Sequence, residues 1–348
     1  MIKNLIRSFI YSFLLNHRTI IEFASIPSYE FSSDELRLVT LSTNNMIETP
    51  VGYFRFCRRW MRQKSYDGET SKMFDLLNRG GQYADNQMDK FFLQEKGRRS
   101  VMNPLFHYDT FCSNRSIASY KIACLLGQPE LLTKCEFCWL KIDNSEPMLG
   151  TMSSLAKGTG FWGLSDDIDI KSRMTPSLLR DLSNLEILDT ICYEPDHGAN
   201  NYMNQLDAEG KIQHLCAFDN DNPKDFFFSS DCTHSLTTET KPMVHNGNFN
   251  RQYADKDTIE RLLSLTKSTV TRELSPYLNC VQLHFCWKRI NKLQQAVQNS
   301  LKAQQLALLN PDDWTQQMVE ENVSGKNGRT YMYVLVDWKD YYINSKRR

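Results

Sequence analysis

Residues 185–228, LEILDTICYEPDHGANNYMNQLDAEGKIQHLCAFDNDNPKDFFF, decide the fold. The stretch opens as the buried end of a helix, LEILDTIC, and passes into a polar loop holding Asp196 and, five residues later, Asn201. The following MNQLDAEGKIQ reads as a strand, a turn at Ala208 to Gly210 and a returning strand. The apolar run HLCAF then stops on Asp219 and Asp221. Such a hairpin would bring the loop and the strand end together. A carboxylate and an amide in one loop, with a second carboxylate at a strand end, is a donor set suited to phosphoryl transfer. One carboxylate orients or deprotonates the acceptor, while the amide and the other carboxylate hold divalent ions on the phosphates. The plain alternative is an Asx-rich surface loop ahead of a hairpin.

Working outward, residues 176–192 (PSLLRDLSNLEILDTIC) predict a helix, with Pro176 at its first turn and a stripe from Leu178 to Ile191. Residues 114–127 (NRSIASYKIACLLG) predict another, capped by Gly127. Two strands are expected between them, KCEFCWLKI at 134–142 and MLGTMSSLAK at 148–157. Earlier, ETSKMFDLLNR at 69–79 reads as a short helix stopped by Gly80 and Gly81. Lys90 and Lys96 follow, with Lys90 at the start of a plausible strand.

This order resembles the catalytic core of the protein-kinase-like superfamily, in particular the atypical branch of phosphatidylinositol kinases, actin–fragmin-type kinases and HipA-like kinases. That branch carries D-R-H-x-x-N; this chain has Asp196-His197-Gly198-Ala199-Asn200-Asn201, keeping the Asp-to-Asn spacing without the Arg. The branch's strand ending I-D-N-D corresponds to Phe218-Asp219-Asn220-Asp221. Its helix N-R-x-x-A-x-x-x-L-A-x-L-L-G is matched at Asn114, Arg115, Ala118, Ala123, Leu125, Leu126 and Gly127, but residues 114–127 lack the Glu that would pair with a strand lysine. Gly150 to Gly158 (GTMSSLAKG) resembles its hinge.

The resemblance implies an α+β, two-lobed kinase-like fold. It has an N-terminal extension over 1–70, a small β-rich lobe with hinge over 71–157 and a helical lobe over 158–348. It implies ATP and Mg²⁺ or Mn²⁺, with phosphoryl transfer to a protein or lipid hydroxyl. Asp196 would be catalytic. Asn201, Asp219 and Asp221 would be metal ligands, and Lys90, Met152 and Ala156 would contact the nucleotide. The alternatives are a pseudokinase, which binds or scaffolds without transfer, and transfer of AMP by the same fold.

Composition excludes little else. The 348 residues are 41% hydrophobic and 24% charged, with Lys+Arg and Asp+Glu both 41. A zero formal charge gives no reason to expect a nucleic-acid partner. The ten cysteines are scattered, and those in apolar contexts, such as Cys124 and Cys192, read as free buried thiols. Cys135-Glu-Phe-Cys138 is a lone CxxC without metal-site company. Gly158-Thr-Gly160-Phe-Trp-Gly163 fits GxGxxG but precedes acidic sequence instead of a helix start. The N-terminal apolar run is too short to span a bilayer and reads as an amphipathic helix, so a cytoplasmic protein is expected.

Elsewhere, residues 1–65 read as one or two helices and an extended piece, with VGYFRFCRRWMR at 51–62 an amphipathic segment. Residues 222–250 read as a polar irregular loop, 255–309 as helical, and TYMYVLVDW near the end as strand-like.

Overall fold

The computed structural model describes residues 27–41, 44–56, 112–144, 148–160, 164, 169–194, 201–218, 242–278 and 280–337. The chain divides into two units, one of residues 1–117 with 134–155, the other of 118–133 with 156–348.

The first unit is built on a six-stranded sheet. Its strands are β1 (Ser28–Phe31), β2 (Arg37–Leu41), β3 (Asn44–Thr49), β4 (Gly52–Phe56), β5 (Cys135–Ile142) and β6 (Met148–Ser154). They lie in the order β1-β5-β6-β4-β3-β2. β2, β3 and β4 form an antiparallel meander, β6 joins it beside β4, and β1 lies parallel to β5 at the edge. Gly52 is required where β4 meets β6, because a Cβ there would stand 2.2 Å from the Ser153 carbonyl oxygen. The strands of 28–56 lie within the 1–65 span read as one or two helices and an extended piece, and add to the sheet from within the span read as an extension. Strand pairing across long sequence separation decides them, and no local periodicity reports it.

Side chains on β5 alternate between faces. Cys138, Leu140 and Ile142 join Ile47, Phe54 and Met152 in one core, while Cys135 points the other way. The strand pleat therefore separates the two thiols of the CxxC.

Helix α1 (Cys112–Leu125) begins in the first unit and ends in the second; it buries Ala118, Ile122 and Ala123, with Leu126 buried just after it, and leaves Cys124 exposed, against the sequence expectation for that thiol. Gly127 ends the helix at φ +76°, with the Arg261 side chain lying where a Cβ would go, 2.4 Å away at Nε. Gly127→Ala is expected to cost about 1–2 kcal/mol for the left-handed backbone alone. A urea midpoint unchanged from wild type would refute this.

Next come the two-residue strand β7 (Thr159–Gly160), α2 (Pro176–Cys192), β8 (Tyr202–Leu206) and β9 (Ile212–Ala217). β7, β8 and β9 make an antiparallel sheet. Gly158, at φ +128°, approaches the Asn204 carbonyl so closely that a Cβ would sit 2.4 Å from it. This glycine of the GxGxxG string serves strand contact.

A hairpin follows, β10 (Val244–His245) and β11 (Asn248–Phe249), turning on Asn246 and Gly247 with φ +49° and +78°. Positive φ at both central residues is the turn that Asn-Gly favours, and it interrupts the irregular loop expected there. Then come β12 (Tyr253–Asp255), α3 (Lys256–Ser264), α4 (Lys267–Leu274), α5 (Cys280–Lys302), β13 (Ala307–Leu309) and α6 (Gln316–Val323). The end of the expected helical span is thus a strand, β13, parallel to β12.

Residues 331–337, read as strand-like, are helical. Their aromatic and β-branched composition favours a strand. However, Tyr331, Met332, Val334, Leu335 and Val336 are all buried, so packing overrides propensity.

Candidate functional site

α2 starts on Thr175, whose hydroxyl accepts from the Leu178 N–H, and ends on Tyr193 in the left-handed conformation at φ +58°. From Asn184 to Cys192 every residue is buried. This span contains two acids, Glu186 and Asp189, which must find partners or cost several kcal/mol each. Glu186 takes the Arg251 guanidinium at 2.8 Å on one oxygen and the Tyr331 backbone N–H at 2.8 Å on the other. Asp189 accepts the Tyr331 phenol at 3.0 Å. Burial first, and then these carboxylates, push the phenols of Tyr331 and Tyr202 well above the usual tyrosine range, so both stay protonated.

At the helix end, Arg289 of α5 is fully buried and donates from Nε to the Ile191 carbonyl at 2.8 Å. Its guanidinium lies over the Tyr193 ring, 5.6 Å from the centroid. The Glu194 N–H returns to the Asp189 carbonyl at 3.0 Å. The chain therefore enters residues 195–200 from a point held on several sides.

It re-emerges at an equally fixed point. Tyr202 pairs with Ala217, and the Phe218 N–H donates to the Asn201 carbonyl at 3.0 Å. Asp207 forms the far turn, accepting from the Glu209 and Lys211 N–H groups. The same strand end is braced by the segment after α1, where the Thr133 N–H donates to the Ala217 carbonyl at 3.0 Å. Asn201 thus sits across from Phe218, the residue before Asp219.

Asp196, Asp219, Asp221 and Lys90 lie outside the described residues, so Asn201 is the one expected metal ligand that can be located. Met152 is placed in the sheet core at 4% exposure, with the Thr49 hydroxyl 3.7 Å from its sulfur. Ala156 is half-buried just past β6. Among the described residues no three His, Cys, Asp or Glu side chains cluster as a metal site. The Glu186–Arg251–Tyr331–Asp189 set was missed in the sequence. Its signal was available: two acids three residues apart inside an otherwise apolar helix.

β9 carries one titratable pair on the α2 face. His214 Nδ1 stands 3.1 Å from Asp181 Oδ2, which also accepts the Leu215 N–H. That hydrogen bond raises the imidazole above its ordinary value of about 6.5. Asp181 is also raised, because burial outweighs the pairing. A raised folded-state value contributes stability that is complete below the unfolded value and is lost as pH climbs through the folded one. The stability gap between wild type and His214→Ala should therefore be widest below the ordinary imidazole value of about 6.5 and shrink as the pH rises above it. Urea melts across that range would show it, and a gap that widens with pH would refute the pairing.

No known protein-family model matches the chain, and no curated protein matches it. Among the described residues no helix is long and apolar enough to cross a membrane.

Proposed function

We propose that the chain is an ATP- and Mg²⁺- or Mn²⁺-dependent phosphotransferase with a kinase-like fold, acting on a protein or lipid hydroxyl. The observation that carries this reading is the β8–β9 hairpin. Its register sets Asn201 across from Phe218, so the amide proposed for one metal ion lies at the same hairpin end as the residue preceding Asp219. Further support comes from element order: a three-strand meander, a helix and a hairpin whose second strand returns beside the meander, then a helix leading into the Asp196 loop.

In this reading Asp196 positions or deprotonates the acceptor. Asn201 and Asp219, with Asp221 as the further candidate, hold the metal ions, and Lys90, Met152 and Ala156 border the nucleotide. Charge neutralisation and alignment account for most of such catalysis. The free thiols among the described cysteines are in keeping with a cytoplasmic setting.

A second reading, a pseudokinase, is favoured by one feature: residues 114–127 contain no Glu to pair with a lysine. The deciding experiment is a thermal-shift titration with ATP, with and without Mg²⁺ or Mn²⁺, on wild type and Asp219→Ala. Metal-dependent stabilisation lost in the variant supports the nucleotide site. No shift under any condition removes it. Binding without γ-phosphate transfer selects the pseudokinase.

A further inference from the structure

The sequence contains Asn-Gly twice, at Asn246-Gly247 and at Asn327-Gly328. This dipeptide is open to a covalent reaction that needs no enzyme. The glycine backbone nitrogen attacks the asparagine Cγ, the bond from Cγ to Nδ2 breaks, and ammonia leaves with the nitrogen's proton. A five-membered succinimide remains. Water then opens either of its carbonyls, giving aspartate or isoaspartate. Glycine favours the step because no Cβ shields its nitrogen and its backbone rotates freely. We propose that Asn246 is a site of this self-modification in the folded chain and that Asn327 is protected from it.

The first difference lies in the nucleophile. The β10–β11 ladder pairs Val244 with Phe249 and His245 with Asn248, so the Gly247 N–H at the tip has no partner among the described residues. The Gly328 N–H instead donates to the Gly325 carbonyl at 2.9 Å. Attack by that nitrogen must first break a backbone hydrogen bond. The leaving groups differ as well. Residues 245–247 are exposed, and Asn246 Nδ2 stands 3.2 Å from the Nε2 of His245, a surface neighbour that water can replace. Asn327 is half-buried. Its Nδ2 donates to the Tyr253 oxygen at 3.2 Å, and its side chain also bonds the Glu321 carboxylate.

Ring closure also needs Asn246 to rotate out of its left-handed turn at φ +49°. The ladder behind the tip has two residues on each strand, and so short a hairpin is marginal by itself. The tip is pinned by α5, where Asn299 Nδ2 donates to the Gly247 carbonyl at 2.9 Å across an exposed surface. A single exposed bond puts tip opening at the low-cost end of local motions. The hairpin base is held more firmly, since the Phe249 N–H donates to the buried Ser300 hydroxyl at 2.9 Å. Conversion places a carboxylate at the tip. Isoaspartate also adds a backbone carbon, which a two-residue turn with positive φ at both positions does not accommodate. The modified tip therefore loses its contact with Asn299.

The test incubates the full chain in mildly alkaline buffer, folded and in urea, and follows both asparagines by peptide mapping and mass spectrometry. In the folded chain Asn246 is expected to convert at least about tenfold faster than Asn327, the factor that one retained hydrogen bond corresponds to. In urea the two rates should converge, because the bonds that separate them are gone. Asn299→Ala, a change on the exposed surface of α5, should speed conversion of Asn246 severalfold and leave that of Asn327 unchanged. Conversion of Asn327 as fast as Asn246 in the folded chain would overturn the proposal. So would an Asn246 that stays intact in the folded chain while the unfolded chain converts. A difference that persists in urea would trace the selectivity to local sequence and overturn it equally.

Discussion

Glu186→Ala is expected to lower the stability of the fold by about 3–5 kcal/mol, the range found when one partner of a buried ion pair is removed. Glu186 is 3% exposed, and both its oxygens are in use. The variant would leave the Arg251 guanidinium, only 11% exposed, without its carboxylate. It would also strand the Tyr331 N–H at the start of the 331–337 helix. Each orphaned group adds its own desolvation cost. Urea denaturation with an unchanged slope should report the loss as a shifted midpoint. Glu186→Gln, which keeps an acceptor but removes the charge, should fall between the two. A loss below about 1 kcal/mol for the alanine variant would mean that the network contributes no more than an exposed ion pair.

The second large effect is on activity. Asp219→Ala is expected to reduce γ-phosphate transfer by at least about a hundredfold, the scale on which a single charge-stabilising group acts in a transition state. The metal ions it is proposed to hold bridge the transferring phosphates and neutralise charge there. The melting temperature should move by less than about 2 °C, which for a chain of this size corresponds to a small change in stability. Asn201→Ala should act in the same direction on transfer. Because Asn201 meets Phe218 through its backbone carbonyl, that hairpin contact survives loss of the side chain. Turnover retained by Asp219→Ala would end the phosphotransferase assignment.

Much of the second unit was legible in the sequence. The 176–192 helix matches α2 at both ends, because Thr175 and Pro176 start it and the apolar stripe runs without a breaker to Cys192. The β8–β9 hairpin was read from the turn at Ala208 to Gly210 between two strand-like segments. The strand pair β5–β6 was also visible, one residue inside the expected start of β5 and three short of the expected end of β6. By contrast, the meander at 37–56 was read as helix and extended chain. The 331–337 helix was read as strand, since its Tyr and Val content points that way locally.

The candidate site divides along the same line. The spacing of Asp196, Asn201, Asp219 and Asp221 is a property of the sequence, as is the hairpin that joins Asn201 to Phe218. Those features rest on local rules: helix period, caps and turn residues act within a few positions. Tertiary structure alone decided that Glu186 meets Arg251, 65 residues away, and Tyr331, 145 residues away. It alone turned Tyr253 toward Asn322 and Asn327 to line a cavity. These pairings follow from burial. An acid enclosed on every side takes whichever donor the packed chain brings within reach, and no local pattern in the sequence names that donor.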